Sequence, residues 1–150
     1  FYNFLSLIYL FFFIYAAYDY YKSLSLLIIL SVCILSDTGG YLFGKSIGGK
    51  KLTKISPNKT ISGSIGSFLC SLFTIIIFDS LQQDIFVSIF LCLFLSLMCQ
   101  LGDLFISYYK RKAKVKDTGS FLPGHGGLLD RIDGFIFVLP IAFILEKLFL

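Results

Sequence analysis

The chain has 150 residues, 57% of them hydrophobic and only 15% charged, with a formal net charge of +4 and a mean hydropathy of +0.86. Soluble domains run to about half apolar and about a quarter charged. This composition therefore excludes an ordinary water-soluble enzyme and predicts an all-α, polytopic helical membrane protein.

Five apolar blocks follow in chain order, each near the roughly 20 helical residues that cross a bilayer core of about 30 Å. The first, residues 1–18, has no basic leader and no small-residue cleavage site, so it reads as a spanning helix and not a signal peptide. It opens at Phe1 without a Met, and a longer parent protein is expected. The second block covers 24–44 and contains Asp37, Gly39 and Gly40. A loop with Lys45, Lys50, Lys51, Lys54 and Lys59 follows. Its Gly44-Lys45-Ser46 is not a phosphate-binding loop, because the GxxxxGK spacing is missing. Ser56-Pro57-Asn58 reads as a turn. The third block, 61–79, begins with Gly63 and Gly66, which allow close helix packing. The fourth covers 85–109 and the fifth 133–150, with no β-sheet expected.

Between the fourth and fifth blocks stand Lys110, Arg111, Lys112, Lys114, Lys116 and Arg131. The two basic loops are separated by two spans, so they face one side, and the positive-inside rule makes that side cytoplasmic. Cys33, Cys70, Cys92 and Cys99 all lie in apolar blocks without a CxxC pair, so they read as packing residues. A zinc site would need closer nitrogen or sulfur spacing along the chain.

Candidate chemistry gathers at the polar ends of the blocks. Gln100, Asp103, Ser107, Lys110 and Arg111 recur at steps of three and four and so share one helix face. A carboxylate inside an apolar span costs at least about 2.5 kcal/mol at mid-bilayer unless it is paired or wet. Asp103 is thus either a helix–helix polar contact or part of a site. Residues 122–127, LPGHGG, form a turn followed by a loop with little side-chain bulk, where backbone N–H groups can approach a phosphate. Asp130 and Asp133 stand at the start of the fifth block, where the helix dipole favours carboxylates. Asp103 and Asp130 would meet at the facing ends of successive helices. Paired carboxylates ringed by Lys and Arg suit a magnesium–phosphate site.

Ser107, Lys110-Arg111, Lys116-Asp117, Gly119, Leu122-Pro123, His125-Gly126-Gly127 and Asp130-Arg131-x-Asp133 closely resemble the signature of the phosphatidate cytidylyltransferase (CDP-diacylglycerol synthase) family. Gly102-Asp103-Leu104, Asp37-Thr38-Gly39 and Ser56-Pro57-x-Lys59-Thr60 resemble further family motifs. Tyr109, Ile106 and Ser62 depart from the family pattern, and none of these departures touches the aspartates or the bases.

The resemblance implies that residues 1–150 are a C-terminal catalytic membrane domain that transfers CMP from CTP to phosphatidic acid and releases pyrophosphate. It implies Asp103 and Asp130 as ligands of Mg2+, with Asp133 a weaker candidate and room for a second cation. Lys110, Arg111, Lys116 and Arg131 would grip phosphates, and Asp117 and His125 complete the catalytic set, His125 as a hydrogen-bond donor. Ser107, Gly126 and Gly127 would position phosphates, and Asp37, Lys59 and Thr60 would surround the nucleotide or lipid head. The implied partners are CTP, phosphatidic acid and the bilayer, with no nucleic acid and with a homodimer left open. The implied location is an integral membrane one, the inner (cytoplasmic) membrane if the source is bacterial, with the site facing the cytoplasm. Two other classes remain: a CTP-dependent lipid-alcohol kinase, which would need a base for a hydroxyl, and a non-catalytic membrane protein or inactive fragment. A transporter would place its polar residues at mid-membrane, whereas here all but Asp37 gather at block ends.

Overall fold

The computed structural model describes residues 2–21, 23, 25–53, 56–78, 84–115 and 129–149. Six helices follow one another: α1 (Tyr2–Tyr20), α2 (Ser25–Ser46), α3 (Ile61–Ser71), α4 (Phe73–Ile77), α5 (Ile85–Lys112) and α6 (Leu129–Phe149). Among the described residues there is no strand, only an isolated antiparallel bridge between Lys51 and Thr60. The all-α expectation holds. Two helices, α2 and α5, are long and apolar enough to cross a membrane.

The third sequence block differs from expectation, because it is two short helices that meet at Leu72. Leu72 keeps helical angles, φ −65° and ψ −22°, and the Ile75 amide donates to its carbonyl at 3.1 Å. The break is one tightened turn with a three-residue hydrogen bond. Buried Ser71 sits beside it and donates its hydroxyl to the Phe68 carbonyl at 2.8 Å, a local bond that competes with the helical ladder.

Helix ends follow their local chemistry. Past α2, Gly48 and Gly49 take φ of +63° and +108°, the left-handed region that releases the chain into the loop. Thr60 caps α3, its hydroxyl accepting from the Gly63 amide at 3.1 Å. Lys110, Arg111 and Lys112 fill the last turn of α5, where cations are favoured by the dipole. That helix closes with the Val115 amide on the Lys110 carbonyl at 3.0 Å and with Lys114 at φ 58°.

The core lies where α1, α2, α5 and α6 meet, around Ala16, Val32, Cys99, Val138, Leu139 and Phe143. Phe143 is ringed edge-on by Phe12, Tyr15 and Tyr20 at centroid separations of 5.8, 5.7 and 6.0 Å. Pro140 lies inside α6 and has no N–H to offer the carbonyl four residues back. That carbonyl belongs to Ile136, and the Tyr9 hydroxyl of α1 donates to it at 2.8 Å. A proline defect in one helix thus becomes the polar contact that docks another.

Two glycine seams set the helix spacing. Gly39 of α2 faces α3 so closely that a Cβ would come within 2.5 Å of the Gly66 carbonyl oxygen. Gly102 of α5 faces α6, where a Cβ would come within 2.7 Å of the Phe137 Cβ. The close packing expected of Gly66 is therefore observed, with Gly39 as its partner.

Candidate active site

Helices α2, α3 and α5 and the loop before α3 enclose a cavity of about 320 Å³, lined on its polar side by Asp37, Asn58, Lys59, Thr60, Gln100 and Asp103. Ligand pockets run to about 300–1,000 Å³, so this volume suits a small ligand or part of a larger one. Asp37 comes from α2, and Gln100 and Asp103 come from α5. Lys59 comes from the loop before α3, held by the Leu52 amide on the Lys59 carbonyl at 2.8 Å and the Ile61 amide on the Lys50 carbonyl at 3.0 Å. This short pairing across the loop aims Lys59 back at α5.

Lys59 Nζ lies 2.9 Å from Asp103 Oδ2. The other oxygen, Oδ1, is wholly buried and accepts no hydrogen bond. Cys99, one turn before Asp103, donates its thiol to Asp37 Oδ1 at 3.7 Å. One donor atom each of Asp37, Cys99 and Asp103 lies within 4.8 Å of the others, a group able to hold a metal ion. Asp37 is exposed and Cys99 buried, so the cluster opens towards solvent through Asp37.

On the other flank, Asp133 of α6 brings its carboxyl beside Asp103. Its Oδ2 lies 3.8 Å from Lys110 Nζ, and its Oδ1 accepts from the Gly134 amide at 3.0 Å. Gln100 shares the cavity wall: its Oε1 accepts from the Ser64 hydroxyl, while its Nε2 is buried without a partner.

These donors test the cation the sequence implies. Mg2+ is a hard ion that takes carboxylate oxygens. The buried, unpartnered Asp103 Oδ1 and the neighbouring oxygens of Asp37 and Asp133 fit it, whereas the Cys99 thiol does not. Buried polar atoms are normally satisfied, and a cation at Asp103 would satisfy this one.

The expected site residues fall into three groups. Asp37, Lys59, Thr60 and Asp103 converge on the cavity, with Lys110 and Asp133 alongside. Ser107 lies one turn beyond Asp103 on α5 and Arg111 is exposed near that helix's end. Asp130 and Arg131 belong to the first turn of α6, but their side chains lie outside the described residues, as do Lys116, Asp117, His125, Gly126 and Gly127.

Asp37, expected around the nucleotide or lipid head, lines the cavity and also stands in the group that could hold a metal. Cys99 was expected only to pack. It is buried, but its thiol also sits between two carboxylates. The Cys99–Asp103 spacing of one helical turn carried that signal, yet its meaning depended on Asp37 arriving from another helix.

Carboxylates facing a lysine around one cavity in an apolar helical chain form the kind of site that takes a cation together with a phosphate. The chain belongs to the cytidylyltransferase family, whose model matches residues 1–149. It is 51% identical over 115 residues to the phosphatidate cytidylyltransferase of Staphylococcus aureus (strain COL). It is 50% identical to that of Staphylococcus haemolyticus (strain JCSC1435) and 49% to that of Staphylococcus epidermidis (strain ATCC 12228 / FDA PCI 1200), over the same length. Each match covers 74% of this chain and 44% of the relative, so the chain spans less than half the length of these proteins.

Proposed function

We propose that this chain supplies the catalytic portion of a membrane enzyme that transfers CMP from CTP to phosphatidic acid, giving CDP-diacylglycerol and pyrophosphate. The observation that carries this reading is the Lys59–Asp103 pair beside Asp37 at the cavity. Family membership and the names of the relatives support the same chemistry.

The acceptor, a phosphate monoester, is already anionic near neutral pH. The site therefore needs no strong base, and its work is positioning and charge neutralisation. Asp103 and Asp133, with Asp130 and Asp37, would hold Mg2+, and room remains for a second cation. The bound ion would neutralise phosphate charge as it develops. Lys59 is placed to pass from Asp103 to a phosphate oxygen. Lys110, Arg111, Lys116 and Arg131 add positive charge around the transferred group. Thr60, Ser107, Asp117, His125, Gly126 and Gly127 complete the set, His125 as a donor to phosphate.

All five apolar blocks would be embedded in the bilayer, with both basic loops on the cytoplasmic side of the inner membrane. Cysteines introduced at Lys51 and Lys114 in a protein otherwise lacking cysteine should both be labelled by an impermeant maleimide from the cytoplasmic face. Labelling of either one from the opposite face only would overturn this topology.

The transfer itself is tested with full-length protein, Mg2+, phosphatidic acid and CTP carrying label at the α- or the γ-phosphate. The α-label is expected in the lipid product and the γ-label in pyrophosphate. Recovery of γ-label in lipid would assign the protein to CTP-dependent kinases instead.

A further inference from the structure

The cavity runs from a polar loop into the helices. Asn58, Lys59 and Thr60 line it on the loop side, and Ser64 and Ser67 of α3 and Gln100 of α5 line it further in. Depth is read along α5, whose polar end is Lys110, Arg111 and Lys112. Asp103 is nearer that end than Gln100, which lies three residues, about 4.5 Å of helix, further into the apolar span. Its helix neighbours Leu97 and Leu101 are exposed, as side chains that face lipid are.

Gln100 is thus a polar group at an apolar level, and only half of it is used. Its Oε1 accepts from the Ser64 hydroxyl, which ties the amide to α3. Its Nε2 is buried and has no partner among the described residues. A buried donor without an acceptor is costly. Ser36 and Ser96 join α2 to α5 through hydroxyls 2.9 Å apart and leave no buried polar atom over. Gln100 leaves an N–H donor over, at the wall of a cavity.

We propose that the Gln100 carboxamide, set by Ser64, donates from Nε2 to an acyl-ester carbonyl of phosphatidic acid and so selects a diacyl lipid as acceptor. The inference rests on the transfer reaction proposed above and adds the group that reads the glycerol end of the lipid. The acceptor phosphate belongs at the level of Lys59 and Asp103, where the charges are. In the lipid, the carbon that carries the phosphate is bonded to a carbon that carries an acyl ester. An ester carbonyl therefore follows the phosphate within a few bonds, in the direction of the acyl chains. Along α5 that direction leads from Asp103 towards Gln100. An ester carbonyl can only accept a hydrogen bond, and a neutral amide supplies the donor at a depth where a charged one would be costly. Gly40 and Gly63 line the same cavity and add no side chain to fill it.

The test is a competition. Full-length protein in detergent micelles receives Mg2+, CTP and equal amounts of diacyl phosphatidic acid and its dialkyl ether analogue, which keeps the phosphate and the chains but has no ester carbonyl. The ratio of the two CDP-lipid products reports the ratio of kcat/KM, whatever the amount of folded protein. The unaltered protein should favour the diacyl lipid by about 3–10-fold, the size of one neutral hydrogen bond. Gln100→Met keeps the length of the side chain and removes the donor, so the ratio should fall to about one, with KM for CTP unchanged. Ser64→Ala keeps the amide but frees its orientation, and should lower the ratio less. A residue that only joined two helices would lower both rates and leave the ratio alone. Equal products from the unaltered protein, or an undiminished preference in Gln100→Met, overturns this inference and leaves the transfer reaction standing. If Gln100→Met makes no product, an undiminished preference in Ser64→Ala overturns it in the same way. No CDP-lipid from either acceptor in the unaltered protein overturns the transfer reading and this inference with it.

Discussion

Asp103→Asn in the full-length protein is expected to lower CDP-diacylglycerol formation by about 10²–10³-fold, the loss typical when one preorganised charge-stabilising group is removed. Asparagine keeps the volume of the side chain, so the packing of α5 against α6 at Gly102 is not disturbed. What disappears is the negative charge that holds Lys59 at 2.9 Å, and one of the two carboxylate oxygens, of which Oδ1 is buried without a partner, becomes an amide nitrogen that cannot ligate a cation. The Lys59 side chain is 31% exposed and can turn to water, so the variant should still fold and insert. The measurement is lipid-product formation in membranes normalised to protein content. Activity within a few-fold of the unaltered protein would remove Asp103 from the site.

Gly39→Val is expected to destabilise the protein by about 1–3 kcal/mol, the usual cost of forcing extra carbon into a packed contact. A Cβ at Gly39 would stand 2.5 Å from the Gly66 carbonyl oxygen and 2.7 Å from the Cys70 Cβ. The first of these is backbone, so relief requires α2 and α3 to separate. Thr38→Val is the matched comparison, because it places the same side chain one residue away at an exposed position. There the lost hydroxyl bond to the Ile34 carbonyl, 2.7 Å, is local, and the effect should stay within about 0.5 kcal/mol. Thermal unfolding in detergent reads both. Equal melting temperatures for the two variants would show that the seam does not set the helix spacing. Because Asp37 lies two residues from Gly39, the same displacement should also weaken activity beyond the loss of folded protein.

The sequence by itself determined the helical class and the positions of the apolar blocks, because long uncharged runs leave helix as the way to satisfy the backbone in an apolar setting. It also determined that Asp103 needed a partner, since a carboxylate within an apolar run is costly alone. Motif resemblance pointed to Asp37, Lys59 and Thr60 as site residues. It did not say that Lys59, from a loop, closes on Asp103, which lies in another helix. That contact depends on the Lys51–Thr60 bridge, whose pairing is tertiary and leaves no periodic trace.

The contact of Cys99 with Asp37 was hidden for a related reason. Burial and apolar neighbours describe a packing thiol and a thiol between two carboxylates equally well, until α2 is set against α5. The break at Leu72 was likewise invisible, because its residues keep helical angles and their composition is that of one continuous helix. Periodicity fixes which residues share a face of their own helix. Which faces meet is decided by glycine contacts such as Gly39 against Gly66 and Gly102 against Phe137, where the absence of a side chain lets two backbones approach.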